Sequence, residues 1–422
     1  MFDVNATPGG MPERRRKPWA GPRERRVAPS PTPRERRTQP REGALREGSV
    51  HVEALEISAA RIHRAEWARL AARAAEPNPF FEPDFILPAA RQLVDRRRPT
   101  VLVARKLIDG RMRMIGALPL APSGRLGALG PARAWRDPLM ALGAPLLDRD
   151  YAVEAFSAFL GWVGEIRPHA NGLALHMTPR TGAAATAMRR AAQARAVDFM
   201  EFEDGARAAL HAGADLDQMI SSSRRKQMRR MARKLAEHGE VVTRVTSGAA
   251  VEEEMERFFE LEASGWKGRR GTALASSIRT LALARGFLRG LSREGRCKIA
   301  WLELAGAPVA GAVLVYSGGT AFYWKIAYDE RYADFSPGAL LMVEMSRLLL
   351  ADPDFTMLDS CTLPGEKSIE AIWKGRRRMA DLLVGGPGLG FMIAGEVETA
   401  KRGLRASAKK VYRKAKGLLP GK

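Results

Sequence analysis

The chain has 422 residues, with 69 Lys or Arg against 47 Asp or Glu and a formal net charge of +22 at pH 7. This length allows two or three domains, and the charge favours an anionic partner such as a phosphorylated cofactor, nucleic acid, an acidic polysaccharide or an acidic membrane surface. The only cysteines are Cys297 and Cys361, and no CxxC pair or His-rich tract occurs, so neither a disulfide framework nor a structural zinc site is supported.

Residues 1–48 are rich in Pro, Arg and Glu and hold almost no large apolar residues. Such a segment buries too little surface to offset its ordering entropy, so we predict a disordered basic tail, either solvated or contacting nucleic acid or anionic lipid. The chain opens without the apolar core of a signal peptide, and no run of about 18 apolar residues follows. We therefore expect a cytoplasmic protein.

The first half, residues 49–205, alternates predicted strands and helices. The pattern begins with strand "HVEALEI", a helix around Trp67, helix "EPDFILPAARQLVDRR", strands "TVLVARKL" and "MRMIGALPLA", and a short strand "RLGAL". It ends with helix "DYAVEAFSAFLGWVGEI", strand "GLALHM", helix "GAAATAMRRAAQAR" and strand "AVDFMEF".

The second half, residues 206–386, repeats this order more clearly. A helix capped by serines, "SSSRRKQMRRMARKLAEHGE", precedes strand "VVTRV" and the helices "AVEEEMERFFELEASGWKG" and "SSIRTLALARGFLRGLSREG". Strands "KIAWLEL", "VAGAVLVYS" and "TAFYWKIAY" follow, then a helix from Pro337, strand "FTMLDS", helix "SIEAIWKGR" and strand "MADLLVG". The repeat predicts two copies of one α/β (α+β) unit, each a mixed sheet flanked by helices, followed by a basic C-terminal tail at 387–422.

The turn before Pro337 carries the clearest signal for a binding site. Ser336 can cap the first turn, Pro337 needs no N–H at the first helical position, and Gly338 lets a ligand approach the backbone. Together with the positive end of the helix dipole, the unpaired amides of Gly338, Ala339 and Leu340 form a site for a phosphate-sized anion. The alternative is a capped helix that packs Leu341, Met345, Leu348 and Leu349 on the sheet without a ligand.

The order of elements resembles the GNAT acyltransferase fold, whose pyrophosphate loop lies between the fourth strand and the third helix. Over residues 50–385 the chain is similar to the CelD/BcsL family, named for cellulose biosynthesis and related to the FemABX transferases, with two GNAT units in tandem. The matching stretches are "SSSRRKQMRRMARKL", "GWKGRRGTAL", "GAPVAGAVLVY", "YWKIAYDERYADFSPGALL" and "LDSCTLPG", with "NPFFEPDFI" and "GAPLLD" in the first unit.

This resemblance implies that acetyl-CoA, or another acyl-CoA, binds at residues 336–340. The loop departs from the widespread Gln/Arg-x-x-Gly-x-Gly/Ala pattern, because Asp334 to Ala339 hold one glycine. In the first unit, Asp148 and Asp150 stand at the equivalent helix start. Two carboxylates there repel a pyrophosphate, so we expect only the second unit to hold the cofactor, with the first unit degenerate.

Acyl transfer from a thioester needs a base for the acceptor, a donor for the carbonyl oxygen and often an acid for the departing thiolate. Asp329 is a candidate base and Tyr332 a candidate donor, and Asp359, after the next strand, is a second candidate base; local hydrogen bonding at strand ends is the alternative for all of them. Cys361 lacks a histidine near it in sequence and is interpreted as a packing residue. None of the six histidines has the spacing of a metal site, and we expect none.

Aromatic and basic residues are candidates for the acceptor site. The resemblance places "SGWKGRRGTAL" near the acceptor groove, where Trp266 offers a stacking surface and Lys267 and Arg269 can hold an anionic group. Trp324, Lys325 and Tyr328, at the end of the fourth strand of the second unit, are further candidates. An ordinary basic loop is the alternative.

Two basic segments each allow two interpretations. The helix around Arg224 to Lys234 is either a solvated face or a surface for tRNA, an acidic polymer or a membrane. The C-terminal "KRGLRASAKKVYRKAKGLLPGK" is either a frayed tail or a segment lying on an anionic membrane.

Three functions are compatible with these residues. The first is an acyl-CoA-dependent N- or O-acyltransferase, in particular an acetyltransferase, whose acceptor, by the family resemblance, is a sugar or polysaccharide precursor. The second is a FemABX-like transferase that takes an aminoacyl group from tRNA. The third is a non-catalytic adaptor that binds an anion or polymer.

Overall fold

A computed structural model describes residues 46–93, 98–122, 130–166, 172–386 and 388–417. The predicted tail at 1–48 lies outside these ranges except for its last three residues, and the predicted strand "RLGAL" lies wholly outside them. The described residues form one compact unit.

The other predicted strands are present in the predicted order, with different bounds at several ends, and two short strands, Ala132–Arg133 and Leu146–Leu147, were not predicted. In chain order the strands are β1 (Val50–Glu56), β2 (Thr100–Ile108), β3 (Arg111–Leu120), β4 (Ala132–Arg133), β5 (Leu146–Leu147), β6 (Gly172–Pro179), β7 (Asp198–His211), β8 (Val241–Ser247), β9 (Cys297–Leu304), β10 (Ala307–Ser317), β11 (Thr320–Tyr328), β12 (Met357–Asp359) and β13 (Gly375–Gly385).

The predicted helices lie between these strands, but the short helices Ile57–Ala60 and Leu216–Met219 were not predicted. The helix predicted over "AVEEEMERFFELEASGWKG" ends at Ser264 and is followed by a separate short helix. In chain order the helices are α1 (Ile57–Ala60), α2 (Arg64–Ala71), α3 (Pro83–Arg91), α4 (Ala152–Ile166), α5 (Ala183–Ala194), α6 (Leu216–Met219), α7 (Ser222–Ala236), α8 (Val251–Ser264), α9 (Trp266–Arg269), α10 (Ile278–Ser292), α11 (Pro337–Leu350), α12 (Lys367–Glu370) and α13 (Leu389–Gly417), with short 3₁₀ turns at Leu274–Ser276 and Glu330–Phe335.

Two sheets form within the described residues, and the fold is mixed α/β as predicted. The smaller has the order β1-β2-β3-β5, and the larger has the order β4-β6-β13-β7-β12-β11-β10-β9-β8. The last strand, β13, pairs antiparallel with both β6 and β7 of the first half. The predicted boundary at 205 falls inside β7, which also pairs with β12, so strands of both halves build one continuous sheet.

Helix α11 shows how apolar spacing positions an element on this sheet. Leu341, Met345 and Leu349 of the predicted stripe are buried, as spacing of three and four residues requires. The prediction for Leu348 was wrong, since its side chain is 52% exposed on the outer face. The buried stripe joins a core cluster on one side of the large sheet that also contains Trp373 and Tyr323.

Two further predicted elements differ from the structure. The helix expected over 368–376 lasts only for Lys367–Glu370, because β13 already begins at Gly375 and its backbone pairs with β7. The basic C-terminal segment was interpreted either as a frayed tail or as a segment lying on a membrane. In the structure it belongs to the 29-residue helix α13.

The pairing of β11 with β12 opens a cleft in the large sheet. These strands run parallel and pair only from Thr320 with Met357 to Phe322 with Asp359. Strand β12 ends at Asp359, whereas β11 continues to Tyr328 along β10. One backbone edge of β11 is therefore left without a strand partner beyond Phe322, next to the start of α11.

Candidate active site

A pocket of about 540 Å³ lies where β11 and β12 diverge. Its walls come from the end of α8 and from α9, the last residues of β11, the start of α11, and the segment between β12 and α12. The residues that line it include Arg224, Glu262, Trp266, Lys267, Tyr328 and Gly338. The sequence-predicted turn thus borders an actual cavity.

The turn itself has a conformation that the sequence did not reveal. Ser336 is left-handed, with φ 52° and ψ 51°, and its side chain makes no capping hydrogen bond, so the expected side-chain cap was wrong. Its carbonyl instead accepts hydrogen bonds from the amides of Ala339 (2.9 Å) and Leu340 (3.2 Å). Two of the three predicted anion-binding amides are therefore already engaged, and among the hydrogen bonds of the described residues the Gly338 amide has no acceptor.

Gly338 presents its backbone to the pocket. A Cβ atom added there meets the Ile326 Cδ1 atom at 3.3 Å and the Tyr328 Cδ1 atom at 3.9 Å, and both of those residues line the cavity. Pro337 precedes it at the first helical position, as predicted, and is buried. A larger side chain at 338 would fill the space from which a ligand reaches the amide.

Arg224, in the first turn of α7, brings a cation to the same place. It lines the main pocket and also an adjoining cavity of about 90 Å³ that borders Ser336 and Ala339. Its Nε atom is buried and has no hydrogen-bond partner within the described part of the chain. A desolvated guanidinium N–H without an acceptor, next to a helix N-terminus, is complementary to an anion.

The wall opposite α11 contains a buried ion pair. Glu262 is almost fully buried; one of its carboxylate oxygens lies 3.1 Å from Lys267 Nζ and the other accepts the Leu274 amide at 2.7 Å. Lys267 also donates to the Ile326 carbonyl on β11. The pair therefore connects α8 to the open edge of β11 and places a carboxylate and an ammonium on the pocket wall.

The segment after α8 is a tight turn rather than a loose basic loop. Gly268 has no room for a side chain, because an added Cβ would lie 1.8 Å from the Ala263 carbonyl oxygen. The Trp266 amide donates to Glu330 at 2.7 Å, and its indole is 38% exposed beside the pocket. Arg269 pairs with Glu330 and does not line the pocket.

The three predicted site residues of β11, Trp324, Lys325 and Tyr328, lie in different surroundings. Tyr328 lines the pocket. Trp324 is buried: its indole N–H donates to the Leu139 carbonyl of the first half at 3.0 Å, and its ring meets Phe287 of the second half edge-on. Lys325 does not line the pocket; burial lowers its pKa, although the Glu262 carboxylate opposes that shift.

Asp329 and Tyr332 lie outside the pocket lining. The Asp329 carboxylate accepts the Arg331 amide at 3.0 Å and pairs with the Arg331 guanidinium at 2.6 Å, and these hydrogen bonds lower its pKa. The Tyr332 ring packs 6.5 Å from that of Phe335. Their roles as base and donor remain predictions, which their position outside the pocket lining disfavours.

Asp359 belongs to a buried charge network. It is fully buried, pairs with Arg207 at 2.6 Å and with Arg377, and Arg377 also pairs with Glu76 from the first half. Burial alone would raise the pKa of Asp359, but the two arginines and the Cys361 amide outweigh it and hold the pKa low. Burial raises the pKa of the Cys361 thiol, in keeping with its interpretation as a packing residue.

Sequence reasoning missed Arg224 and Glu262 as site residues. The basic cluster of α7 was recognised, but only the tertiary fold shows that Arg224 reaches the turn at 336–338. Glu262 was predicted to lie on the same helix as Phe258 and Phe259. Its spacing from them places it on the apolar face of that helix, where its carboxylate must be buried, and this was the available signal for a site residue. Among the described residues, no group of three or more His, Cys, Asp or Glu side chains could hold a metal ion.

Comparison with known proteins identifies the fold. Residues 222–367 match the family described as acetyltransferase (GNAT) domain. A search of the curated proteins found no match. Among solved structures, FemX is similar over 79% of this chain and 96% of its own, with 12% identity and a TM-score of 0.50.

Two further structures are similar over comparable lengths. The C-terminal domain of a putative lysylphosphatidylglycerol synthetase from Agrobacterium fabrum has 13% identity and a TM-score of 0.47, covering 80% of this chain and 96% of that one. A tandem GNAT protein from the clavulanic acid biosynthesis pathway has 15% identity and a TM-score of 0.39, covering 81% and 100%. The GNAT fold expected for the second half is confirmed, and the CelD/BcsL affiliation stays a prediction.

Proposed function

We propose that the GNAT domain at residues 222–367 transfers an acyl group, in particular acetyl, from coenzyme A to an amine or hydroxyl acceptor. The observation that carries the proposal is the pocket between β11 and β12, which is bordered by the Gly338 amide and the Arg224 Nε–H, two donors without a hydrogen-bond partner among the described residues. An elongated ligand with a phosphate-bearing end and a neutral arm fits such a cleft.

The pyrophosphate is assigned to the turn. The Gly338 amide and the N-terminus of the 14-residue helix α11 attract negative charge, and the Arg224 Nε–H lacks an acceptor within the described residues. Each charge-assisted hydrogen bond to a phosphate oxygen contributes about 1.5–3 kcal/mol. The resulting site relies on one amide and one guanidinium, in place of the three amides predicted from the sequence.

The pantetheine arm is assigned to the open edge of β11. The Asp329 amide donates to Val309 on β10, so strand alternation directs the backbone groups of Ile326 and Tyr328 to the opposite edge, where β12 is absent. Amide groups of an extended ligand can pair with such an edge as a strand does. This arrangement brings a thioester carbonyl towards the Lys267 ammonium, which already contacts the Ile326 carbonyl.

In the reaction, the nitrogen or oxygen of the acceptor attacks the carbonyl carbon of the thioester, the new C–N or C–O bond forms, and the C–S bond breaks. The acceptor proton goes to a base and the departing thiolate takes up a proton. We assign the base to Glu262 and the acid to the Tyr328 hydroxyl, because both line the pocket, whereas Asp329, Tyr332 and Asp359 do not. The Lys267 ammonium stabilises negative charge on the carbonyl oxygen.

The acceptor is proposed to be a sugar or polysaccharide precursor. This choice follows the CelD/BcsL resemblance, and the partly exposed indole of Trp266 at the pocket wall supplies a stacking surface for a sugar ring. Transfer assays with acetyl-CoA and a panel of amino sugars, amines and alcohols, read by release of free thiol, test the acceptor class separately from cofactor binding.

A second function is favoured by the charge of α7. Lys226, Arg229, Arg230, Arg233 and Lys234 are all exposed on the helix whose first turn carries Arg224 to the pocket. This basic surface suits transfer of an aminoacyl group from tRNA. Binding of tRNA that weakens steeply with salt, without any response to acetyl-CoA, would support that alternative. Binding of neither ligand would leave the non-catalytic adaptor.

The deciding experiment compares acetyl-CoA affinity of wild type, Arg224→Ala and Arg230→Ala by isothermal titration calorimetry. Arg230 is the matched control, because it lies on the same helix and is exposed outside the pocket. We expect Arg224→Ala to weaken binding about tenfold to a hundredfold, and Arg230→Ala to change it less than about twofold. Equal effects of the two substitutions would contradict the assigned phosphate site.

A further inference from the structure

Helix α13 has an apolar face that the described part of the chain does not cover. Five large aliphatic side chains on it are strongly exposed, at 78% for Leu389, 60% for Met392, 60% for Ile393, 42% for Val397 and 72% for Leu404. They recur at intervals of three, four and seven residues, so they share one side of the helix over about 22 Å of its length. We call these five residues the outer stripe.

The opposite side of α13 accounts for its packing on the protein. Phe391 is fully buried against Ala174 and Leu383, Gly395 is buried next to Met200, and Arg402 pairs with Asp381 at 2.6 Å. At 100° per residue, Phe391, Gly395 and Arg402 lie about opposite the centre of the outer stripe. The helix therefore docks with one face and leaves the outer stripe exposed, so packing of the residues that the structure describes does not explain the stripe.

Charge identifies the kind of surface that fits. From 401 to 416 the sequence "KRGLRASAKKVYRKAK" contains eight Lys or Arg and no Asp or Glu, and α13 continues through this segment. One acidic residue, Glu396, is exposed within the outer stripe, between Met392 and Leu389 around the helix. An aliphatic stripe continued by a strongly cationic segment is complementary to a surface that is apolar inside and anionic outside.

We propose that α13 lies in the plane of an anionic lipid bilayer, with the outer stripe inserted at the boundary between headgroups and acyl chains. No helix within the described ranges is long and apolar enough to cross a bilayer. The helix therefore rests on the surface. Each cation near an anionic leaflet adds about 1 kcal/mol to binding, and the aliphatic side chains add hydrophobic free energy on insertion.

Other occupants fit these charges less well. A second copy of the chain would bring two cationic segments of the same sequence close together. Residues 1–45 contain 11 Lys or Arg and 5 Asp or Glu, so that segment is itself basic and repelled. Nucleic acid is anionic, but aliphatic side chains gain nothing from a phosphate backbone.

The test is flotation of the full chain with vesicles of phosphatidylcholine alone or of phosphatidylcholine and phosphatidylglycerol in equal parts. The variant Ile393→Ser/Val397→Ser should lower the partition coefficient on the mixed vesicles about tenfold, since each side chain gives up part of its burial in lipid. The control is Ile62→Ser/Ile278→Ser, which removes two aliphatic residues that are 82% and 89% exposed elsewhere. It should bind as wild type does.

Acetyl-CoA affinity and the unfolding midpoint should be unchanged in both variants, so this proposal can fail while the acyltransferase assignment stands. Equal binding to both vesicle types, or equal binding by Ile393→Ser/Val397→Ser and wild type, would overturn it. A concentration-dependent dimer that this variant abolishes would assign the outer stripe to a second copy instead. Binding to polyuridylate RNA without binding to the mixed vesicles would assign the segment to nucleic acid.

Discussion

The substitution Asp359→Asn separates a structural role for this carboxylate from the catalytic role that the sequence suggested. In the folded protein Asp359 accepts from Arg207 at 2.6 Å, from Arg377 and from the Cys361 amide at 2.8 Å, and it is fully buried. Asparagine keeps the shape but removes the charge. Arg377 would then keep Glu76 as its carboxylate partner, whereas the buried Arg207 would lose the carboxylate that it pairs with.

Removing one partner of a buried ion pair costs about 3–5 kcal/mol, because the remaining charge stays desolvated. We expect a loss of this size in the free energy of unfolding, measured by urea denaturation followed by circular dichroism. Asp354→Asn is the matched control, since Asp354 is exposed nearby on the same segment, and it should change stability by less than about 0.5 kcal/mol. A stable Asp359→Asn protein that has lost only its catalytic rate would refute the structural assignment and restore Asp359 as a base.

Three further predictions concern charge and the pocket. Glu262→Gln should lower kcat about 10²- to 10⁴-fold with little change in acetyl-CoA affinity, whereas Glu260→Gln, an exposed neighbour on α8, should have no effect in the same thiol-release assay. Gly338→Glu should abolish measurable acetyl-CoA binding by calorimetry at an unchanged unfolding midpoint, because its carboxylate fills and repels the phosphate site. The pKa of Asp359 is lower in the folded protein than in the unfolded chain. Its contribution to stability is therefore present above the unfolded-state pKa and is lost as the pH falls through the folded-state pKa. Burial raises the pKa of Glu76, so the contribution of Glu76 to stability is fully present below its unfolded-state pKa and is lost as the pH rises through its folded-state pKa. In urea titrations, the stability difference between wild type and Asp359→Asn should therefore shrink below about pH 4.

The order of strands and helices in the second half was readable because each element carries its own period. Strands β9, β10 and β11 are separated by short turns, and the apolar spacing of α11 identifies its buried side. The prediction that a phosphate-binding turn lies at 336–340 followed from that order together with the dipeptide Pro337–Gly338. These signals are local, so a single sequence contains them.

The details of the site depend on contacts between distant segments. The left-handed Ser336 is held where the 3₁₀ turn Glu330–Phe335 meets α11, and nothing in its own side chain indicates this conformation. Arg224 and Gly338 are 114 positions apart and meet only through packing of α7 on the turn before α11. The insertion of β13 between β6 and β7 is likewise invisible to local periodicity, because each strand alone satisfies the same pattern.

The placement of the thioester carrier is tested most directly by a crystal structure of the protein soaked with acetyl-CoA. The pyrophosphate is predicted to lie within hydrogen-bonding distance of the Gly338 amide and the Arg224 guanidinium, with the pantetheine arm along the open edge of β11. A carrier bound elsewhere, with Gly338 and Arg224 uncontacted, would contradict the acyltransferase site described here.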